Sequence, residues 1–412
     1  MPLNTLFDHV LDYPPVPEHS EGAAEPPAPD EAIDKLLPGG GGIYLLTDAD
    51  DRAIQLASAG HLRQALRTRL RPPTESEDNL APVASRRRAD LSQIVRRIWW
   101  RTAHSGFEIT YQYWRIARSL MPQTYLEQVA FGPSWFVHAD PAARTPCFVV
   151  GKMLRAPPGI DLGPMATHRD AMRFVQILQD CFDLCRYDHI LEQAPHGQPC
   201  AYFDMSQCPA PCDGSIPLSA YREQIAAALD FACGQQEAHY LRLERQMREA
   251  AGRMAFEQAA AVKQRLERAR AIEQRAFALV RPVEAFKYLI LQRGGGRTRI
   301  KPFFVRAGRI QPAATVKLKD VDAATADWVR EMTVMPTPQE IELMAGQFDR
   351  QEVSEQIWLV SHFLFKKETP GLFIHASQLP EPDTLAEQVR DVFAARRREP
   401  TPEDNNHPPP GP

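Results

Sequence analysis

The chain has 412 residues and a formal net charge of −4 at pH 7, with 48 Lys and Arg against 52 Asp and Glu. This length allows two or three domains with ordinary hydrophobic cores, and the charge excludes a global basic field that would attract nucleic acid. No apolar run reaches the roughly 18 residues that span a bilayer, and the first residues lack the order of a signal peptide. We therefore expect a cytoplasmic protein with no membrane partner.

The two ends differ in composition from the rest of the chain. Residues 13–42 are rich in Pro, Glu, Ala and Gly, and the last residues have the same character. Such segments cannot bury enough apolar surface to become ordered. We therefore predict a disordered lead over residues 1–41 and a disordered tail over residues 397–412.

Mixed helix and strand signals follow the lead, which predicts an α+β fold. Residues 43–46 and 53–56 resemble the strands of a hairpin because turn residues separate them. Leucines at helical spacing from Leu62 to Leu70 predict an amphipathic helix. The remaining predicted elements of this half are a helix over residues 90–120, a strand over residues 148–154 and a helix over residues 169–185.

Four of the seven cysteines lie within 28 residues, which favours ligation of a metal or cluster over a disulfide framework. Thiolates suit soft or borderline metals, so an iron–sulfur cluster, a zinc site and free thiols all stay open. Cys181, one helical turn before the set, is an alternative ligand, whereas Cys147 and Cys233 are expected to be buried apolar groups. The four candidate ligands are Cys185, Cys200, Cys208 and Cys212.

The stretch from Leu218 to about Leu279 lacks Pro and is dense in helix-forming residues. Its apolar stripe changes phase near residues 252–255 and restarts at Phe256, which is typical of an antiparallel helical hairpin. Beyond the hairpin, Gly294–Gly296 is predicted as a turn between strands. The elements predicted there are strands over residues 288–291, 302–305 and 315–318 and helices over residues 337–349, 353–366 and 382–396.

Several segments together resemble the bacterial UvrC family over about residues 42–275. Gly42-Ile43-Tyr44 resembles the start of its GIY-YIG nuclease domain, residues 100–108 its segment ahead of the catalytic helix, and Leu162-Gly163-Pro164 its Phe-Gly-Pro turn. Residues 198–214 and 221–266 resemble its cysteine region and its UVR motif. The resemblance implies a GIY-YIG-like domain over 42–140, a connecting and cysteine-ligand region over 141–216, a UVR-type helical hairpin over 217–280 and an unassigned α+β region over 281–396.

The resemblance also shows that the nuclease motif is degenerate. A GIY-YIG nuclease needs two tyrosines, an arginine that stabilises charge on phosphate, and a glutamate that holds a divalent cation. Tyr44 matches the first tyrosine, but the other three positions fall on Gln55, Ala65 and Tyr113. Alanine cannot bind phosphate and tyrosine is a poor Mg²⁺ ligand. We therefore expect no catalytic residues, and Mg²⁺ only if the nuclease is active.

The resemblance implies two retained functions. UvrC members can hold a four-iron cluster at the cysteines, and their UVR motif docks with the equivalent helix pair of the UvrB helicase. The contact here would fall on Met247, Phe256, Ala260 and Leu266, unless these residues only pack on the rest of this chain. UvrC also carries an RNase H-like nuclease domain, but only about 130 residues follow the hairpin, and we expect that domain to be absent.

Two basic clusters are candidates for DNA binding, because cations alternate with the stacking surfaces of two tryptophans in the second cluster. The alternative is a solvated helix with buried tryptophans. The candidate DNA-binding residues are Arg86, Arg87, Arg88, Arg96, Arg97 and Arg101.

Three functions therefore compete. The first is a catalytically inactive accessory or regulatory protein of nucleotide excision repair that binds a UvrB-like helicase subunit and DNA. The second is an active metal-dependent endonuclease whose site is rebuilt from Tyr44, Arg63 and Glu108. The third is a metal- or redox-responsive adaptor outside repair.

Overall fold

The computed structural model describes residues 2–13, 29–71, 91–334, 340–342 and 345–394. They form a mixed α+β structure with three antiparallel sheets, so the predicted α+β class is confirmed. No helix in these ranges is both long and apolar enough to cross a membrane.

The first sheet has the order β1-β4-β2-β3 and is covered by helices on both faces. Its strands are β1 (His9–Asp12), β2 (Gly42–Thr47), β3 (Ala53–Ala59) and β4 (Arg97–Thr102). Its helices are α1 (Leu3–Leu6), α2 (Pro29–Leu36), α3 (Leu62–Leu70) and α4 (Gly106–Leu120). Helices α2 and α3 pack on one face, and α1 and α4 pack on the other.

Two predictions for this region are wrong. The lead over residues 1–41 is not disordered throughout, because it supplies α1, β1 and α2. The predicted helix over residues 90–120 is interrupted by β4, which pairs with β1 on one side and β2 on the other. Ile98 and Trp100 alternate with more exposed neighbours along β4, and burial between two strands overrides local helix propensity.

The second sheet has the order β6-β5-β7-β8 and packs against four helices. Its strands are β5 (Trp135–Ala139), β6 (Phe148–Gly151), β7 (Ile160–Met165) and β8 (Arg281–Pro282), and the helices are α5 (His168–Phe182), α6 (Asp188–Leu191), α7 (Ala201–Asp204) and α8 (Leu218–Ala232). The expected turn at Leu162-Gly163-Pro164 lies inside β7. A Cβ atom on Gly163 would stand 2.7 Å from the Phe136 ring, so this close approach requires glycine.

The predicted helical hairpin is present after α8. Helices α9 (Gln236–Gly252) and α10 (Phe256–Arg270) run side by side and are joined by a short turn. Met254 has a φ of 58° in that turn, which falls in the predicted break at residues 252–255. The hairpin therefore reverses where the apolar stripe changes phase.

The third sheet has the order β11-β10-β9-β13, with β12 beside β10. Its strands are β9 (Tyr288–Arg293), β10 (Arg299–Arg306), β11 (Arg309–Pro312), β12 (Val316–Lys317) and β13 (Leu372–His375). Its helices are α11 (Val321–Thr333), α12 (Arg350–Leu364) and α13 (Pro382–Ala394). The three predicted strands and two of the predicted helices are thus present, whereas the predicted helix over residues 337–349 lies largely outside the described residues.

Helix α4 joins the first sheet to the third. Its aromatic residues are buried in a core shared with Phe303 of β10 and with α12. Glu355 of α12 is fully buried there and accepts hydrogen bonds from Trp114 Nε1 at 2.7 Å and from the Tyr125 hydroxyl at 2.5 Å. Arg118 pairs with Asp349 at 2.6 Å. The helix that would carry the nuclease glutamate therefore supports the C-terminal region.

Candidate functional site

Three of the four nuclease positions lie on the α3 face of the first sheet. Tyr44 is only 5% exposed and lies in an apolar cluster with side chains of β4, α2 and α3. Ala65 packs against the same cluster. The Gln55 amide oxygen accepts a hydrogen bond from Arg69 Nε at 2.5 Å. This face is therefore a covered core, with Ile33 and Leu37 of the α2 segment packed over it.

Tyr113 lies on the opposite side of the sheet. It packs with Ile43 and Leu45, whose side chains point away from that of Tyr44 because neighbouring residues of a strand alternate in direction. Its hydroxyl donates to Gln128 Oε1 at 3.4 Å, and burial raises its pKa. The four positions that match the family's catalytic set do not come together in one site.

The residues of the rebuilt-nuclease alternative have structural partners. Glu108 accepts a hydrogen bond from the His104 backbone N–H at 2.9 Å, while Ser105 Oγ accepts one from the Glu108 N–H at 3.1 Å. This pattern is a variant of the capping box at the start of α4, because Ser105 is the N-cap and Glu108 accepts from the residue before it. Arg63 donates through Nε and Nη2 to the Leu37 carbonyl at 3.2 and 2.8 Å. The charged groups of Glu108 and Arg63 are therefore both held by contacts with other residues.

Three of the four candidate ligand thiols interact with one another. Cys185, Cys208 and Cys212 are all buried. The Cys185 thiol donates to the Tyr187 carbonyl at 3.4 Å. The neighbouring Cys185 lowers the pKa of Cys208, whereas Cys208 and burial raise the pKa of Cys185. Burial, with smaller effects from Asp213 and Cys208, raises the pKa of Cys212.

The backbone around the thiols is fixed by buried contacts. The Cys185 N–H donates to the Tyr221 hydroxyl at 3.0 Å, which ties the end of α5 to α8. The Gly197 N–H donates to the Cys212 carbonyl at 2.8 Å. Arg186 stacks on the Tyr202 ring at 4.2 Å, and this contact holds α7 against the segment after α5. The loop therefore brings its cysteines close to the central core.

The fit of a metal or cluster to this loop is incomplete. Cys200 is half-buried at the N-terminus of α7 and takes no part in the thiol interactions given above. In the part of the chain that the structure describes, no three His, Cys, Asp or Glu side chains form a group that could hold a metal ion. The iron–sulfur cluster and the zinc site stay predictions, and Cys200 would have to join the other three thiols in either of them.

The other cysteines belong to the core. Cys181 is 2% exposed, and burial raises its pKa to about 12, as expected of a thiol among apolar side chains. Cys147 and Cys233 are half-buried rather than buried and pack against the same core.

The helical hairpin has a buried base and an exposed tip. At the base, Tyr240 and Leu243 are buried, and Arg265 Nε donates to the Cys181 carbonyl at 3.0 Å. At the tip, Met254 is 76% exposed and Phe256 is 68% exposed. The base anchors the hairpin to α5 and α8, and the tip offers two large apolar side chains to solvent.

The four predicted partner-binding residues divide between these two ends. Phe256 and Ala260 are exposed, Met247 is half-buried, and Leu266 packs against this chain's own core. Met254, the most exposed large apolar side chain of the tip, is not among the four predicted residues. Its position within the phase change at residues 252–255 was the available signal.

The candidate DNA-binding arginines are largely paired. Arg97 contacts Asp12 at 3.3 Å and Asp51 at 2.6 Å. Arg101 contacts Asp8 at 2.8 Å. Arg96 is exposed and donates to the Val95 carbonyl at 2.8 Å. The other cluster, Arg86, Arg87 and Arg88, lies outside the described residues.

Residues 138–231 match the family model of the UvrC/Cho excinuclease middle domain. The match runs from β5 to α8, so it includes all four candidate ligand cysteines and ends before α9. No solved structure gives a significant match.

Curated relatives match over longer stretches. A UvrABC system protein C from Syntrophotalea carbinolica is 32% identical over 176 residues, which are 42% of this chain and 28% of the relative. One from Nitrobacter hamburgensis is 32% identical over 37% of this chain and 22% of the relative. One from Cereibacter sphaeroides is 24% identical over 67% of this chain and 42% of the relative. The chain is thus related to UvrC over part of its length, contains a UvrC/Cho middle domain, and matches less than half of each of these relatives.

Proposed function

We propose that this chain is an accessory or regulatory protein of nucleotide excision repair that does not cut DNA and that binds a UvrB-like helicase subunit through the tip of the α9–α10 hairpin. The relation to UvrC suggests the repair context. The single observation that carries the binding role is the exposure of Met254 and Phe256 at the end of an anchored hairpin.

The division between base and tip supports a docking role. Apolar contacts and Arg265 already hold the base, so the tip residues are not needed to close the hairpin on the core. Exposed large apolar side chains at one place favour contact with a partner. A helix pair of similar size can bury them by packing its own apolar face against α9 and α10. The UvrB docking that the family resemblance implies has this form.

The geometry of the first sheet supports the proposal that the chain does not cut DNA. Tyr44 is buried, Ala65 carries no functional group, and Tyr113 is on the other face. Glu108 and Arg63, the proposed replacements, serve a helix cap and a helix contact. Phosphodiester cleavage needs charge-stabilising groups aimed at one phosphate, and this face offers none of the expected ones.

Calorimetric titration with purified UvrB tests the binding role. The wild type is expected to bind, and the double variant M254S/F256S is expected to bind at least about 30-fold more weakly, because buried aromatic anchors at interfaces contribute about 2 kcal/mol or more. The matched control is Leu241→Ser, which removes an exposed apolar side chain from the base end of α9. Failure of the wild type to bind, or equal losses in both variants, would overturn the proposal.

We also propose that the cysteine loop holds an iron–sulfur cluster, with a zinc ion as the alternative. With either group bound, the second candidate function of the chain is that of a metal- or redox-responsive adaptor. The burial of Cys185, Cys208 and Cys212 in one loop supports it, with Cys200 as the fourth ligand. A bound cluster would supply a redox-active centre. Anaerobic purification followed by iron, sulfide and zinc analysis is expected to find a metal, and C208S is expected to lower its content. Metal-free protein would remove this proposal and leave the hairpin proposal untouched.

A further inference from the structure

A run of unbalanced positive charge lies in the C-terminal region. Between Ala285 and Lys319 the chain has nine Lys and Arg residues and no Asp or Glu, although the whole chain has a net charge of −4. A local patch of one sign in an acidic chain attracts a polyanion at short range. The family-model match ends at residue 231, so nothing in it accounts for this run.

The structure separates these nine cations into two groups. Lys287, Arg306 and Arg309 pair with glutamates that follow the run, Glu340, Glu331 and Glu342. Arg293 donates to the Arg297 carbonyl at 3.1 Å and lies over the Phe393 ring. The other five make no ion pair with any carboxylate in the described ranges. These five, here called the basic ribbon, are Arg297, Arg299, Lys301, Lys317 and Lys319.

The sheet places the cations of the basic ribbon side by side. Arg299 of β10 stands directly opposite Lys317 of β12. Arg299 and Lys301 are two residues apart on one strand, so they share a face and lie about 6.7 Å apart. Like charges that face each other across strands destabilise a sheet. Asp320 is the only acidic residue next to these five cations in the sequence. Negative charges that balance them must therefore come from other parts of the chain or from a bound polyanion.

The turn at the end of the ribbon is held in place. A Cβ atom on Gly295 would stand 2.9 Å from Nε2 of His104, the exposed residue just before α4. A Cβ atom on Gly294 would stand 2.8 Å from the Thr315 methyl group. The glycines thus let the turn rest on the first-sheet region and on the segment before β12. A ribbon fixed in this way loses little conformational freedom when it binds.

We propose that the basic ribbon, whose cations lie on β10, on β12 and in the segments next to these strands, binds the sugar–phosphate backbone of duplex DNA. These strands belong to a five-stranded sheet, so the cations meet DNA as a row on the surface of a sheet. The spacing of Arg299 and Lys301 is about twice the 3.4 Å axial spacing of charges along one DNA strand. Contacts from Lys and Arg to phosphate oxygens carry no sequence information, so the binding is expected to be independent of the DNA sequence. The inference is independent of the hairpin and its protein partner.

Fluorescence anisotropy with a short labelled duplex of arbitrary sequence tests the ribbon without any helicase subunit. R299Q/K317Q is expected to weaken binding about ten-fold at about 0.1 M salt and to reduce the slope of log affinity against log salt by about 2, because each lost phosphate contact removes about 0.9. The pair R297Q/K319Q is expected to act in the same direction. Because R299Q/K317Q relieves a like-charge contact, its thermal midpoint should not fall.

R52Q/R330Q is the matched control for net charge. Arg52 and Arg330 are 78% and 73% exposed, and each already lies beside an aspartate. This control is expected to change duplex affinity less than two-fold. Equal losses in control and ribbon variants would overturn the proposal, as would a wild type that does not bind duplex or that binds single-stranded DNA or RNA at least as tightly.

Discussion

The first sheet and the helical hairpin differ in how far their candidate functional residues are exposed. In the first sheet, the positions that match a nuclease site are buried, apolar or engaged in local contacts, as Tyr44, Ala65 and Gln55 show. In the hairpin, a buried base carries a tip at which Met254 and Phe256 face solvent. The first sheet is a packed support for the rest of the chain, and the hairpin exposes large apolar side chains.

Helix α4 shows how the first region supports the rest of the chain. Helix α4 would carry the nuclease glutamate, and it now packs against the third sheet and α12 through Trp114 and Arg118. The hairpin tip gains no such contact, since none of the other described elements covers it.

The largest expected effect concerns the contact between α4 and the C-terminal region. Glu355→Ala is expected to lower the free energy of unfolding by about 3 kcal/mol, because it leaves the buried Trp114 Nε1–H and Tyr125 hydroxyl without their acceptor. Urea denaturation measures this change. Glu249→Ala, an exposed residue of α9, is the control and should change it by less than about 0.5 kcal/mol. A loss below about 1 kcal/mol for Glu355→Ala would show that α4 does not carry the C-terminal region.

The anchored base of the hairpin predicts a pH effect. His239 lies between Phe182 and Phe231 at ring distances of 4.6 and 5.0 Å, and burial, with Arg242 and Arg265, lowers its pKa to about 4. The unfolded chain takes up this proton near the ordinary value of 6.5. Stability is therefore complete above about pH 6.5 and falls as the pH drops toward 4, by about 2 kcal/mol at about pH 5.

Thermal midpoints near neutral pH and at about pH 5 measure this effect. His239→Gln is expected to flatten the dependence in this range, since glutamine carries no titrating group. Identical pH slopes in the wild type and His239→Gln would mean that the base of the hairpin is not packed as described.

A smaller effect concerns the helix cap in the first sheet. Glu108→Ala is expected to lower the free energy of unfolding by about 1 kcal/mol, because the His104 N–H loses its acceptor in the capping box. Ser105→Ala should cost a similar amount, because it removes the other half of the box. Guanidinium denaturation of both variants checks this. Unchanged stability together with altered magnesium binding in Glu108→Ala would favour the rebuilt-nuclease alternative.

The smallest expected effect concerns the arginines of β4. Arg101→Gln removes a partly exposed ion pair with Asp8 and should lower stability by less than about 1 kcal/mol. Its duplex affinity should stay within two-fold of the wild type, because this charge is already balanced. A ten-fold loss of duplex affinity would indicate that the first-sheet arginines bind DNA. It would also weaken the contrast between the first sheet and the hairpin.

Local patterns in the sequence predicted the parts of the fold that depend on short-range periodicity. The leucines from Leu62 to Leu70 and the phase change at residues 252–255 each indicated an element that the structure contains. Strand β4 was mistaken for helix because its burial depends on β1, a strand far away in the sequence. Strands β5 and β7 were missed in the same way, since each is completed by strands outside its own local pattern.

The sequence predicted which residues belong to the candidate sites, but not how these residues are placed in space. The sequence indicated the replacements at Gln55, Ala65 and Tyr113, but not that Tyr113 lies on the other face of the sheet. It indicated four cysteines, but not that Cys185, Cys208 and Cys212 are buried while Cys200 is half-buried. The lack of acidic residues between 285 and 319 was visible in the sequence, whereas the register that places Arg299 opposite Lys317 required the structure.

Incision of a damaged DNA duplex in the presence of Mg²⁺ and UvrB tests the central contrast most directly. A full-length UvrC serves as the positive control, and Tyr44→Phe is compared with the wild type. We predict no incision above background for either form of this chain, while both forms bind UvrB equally. Incision by the wild type that Tyr44→Phe abolishes would show that the first sheet still cuts DNA and would contradict the account.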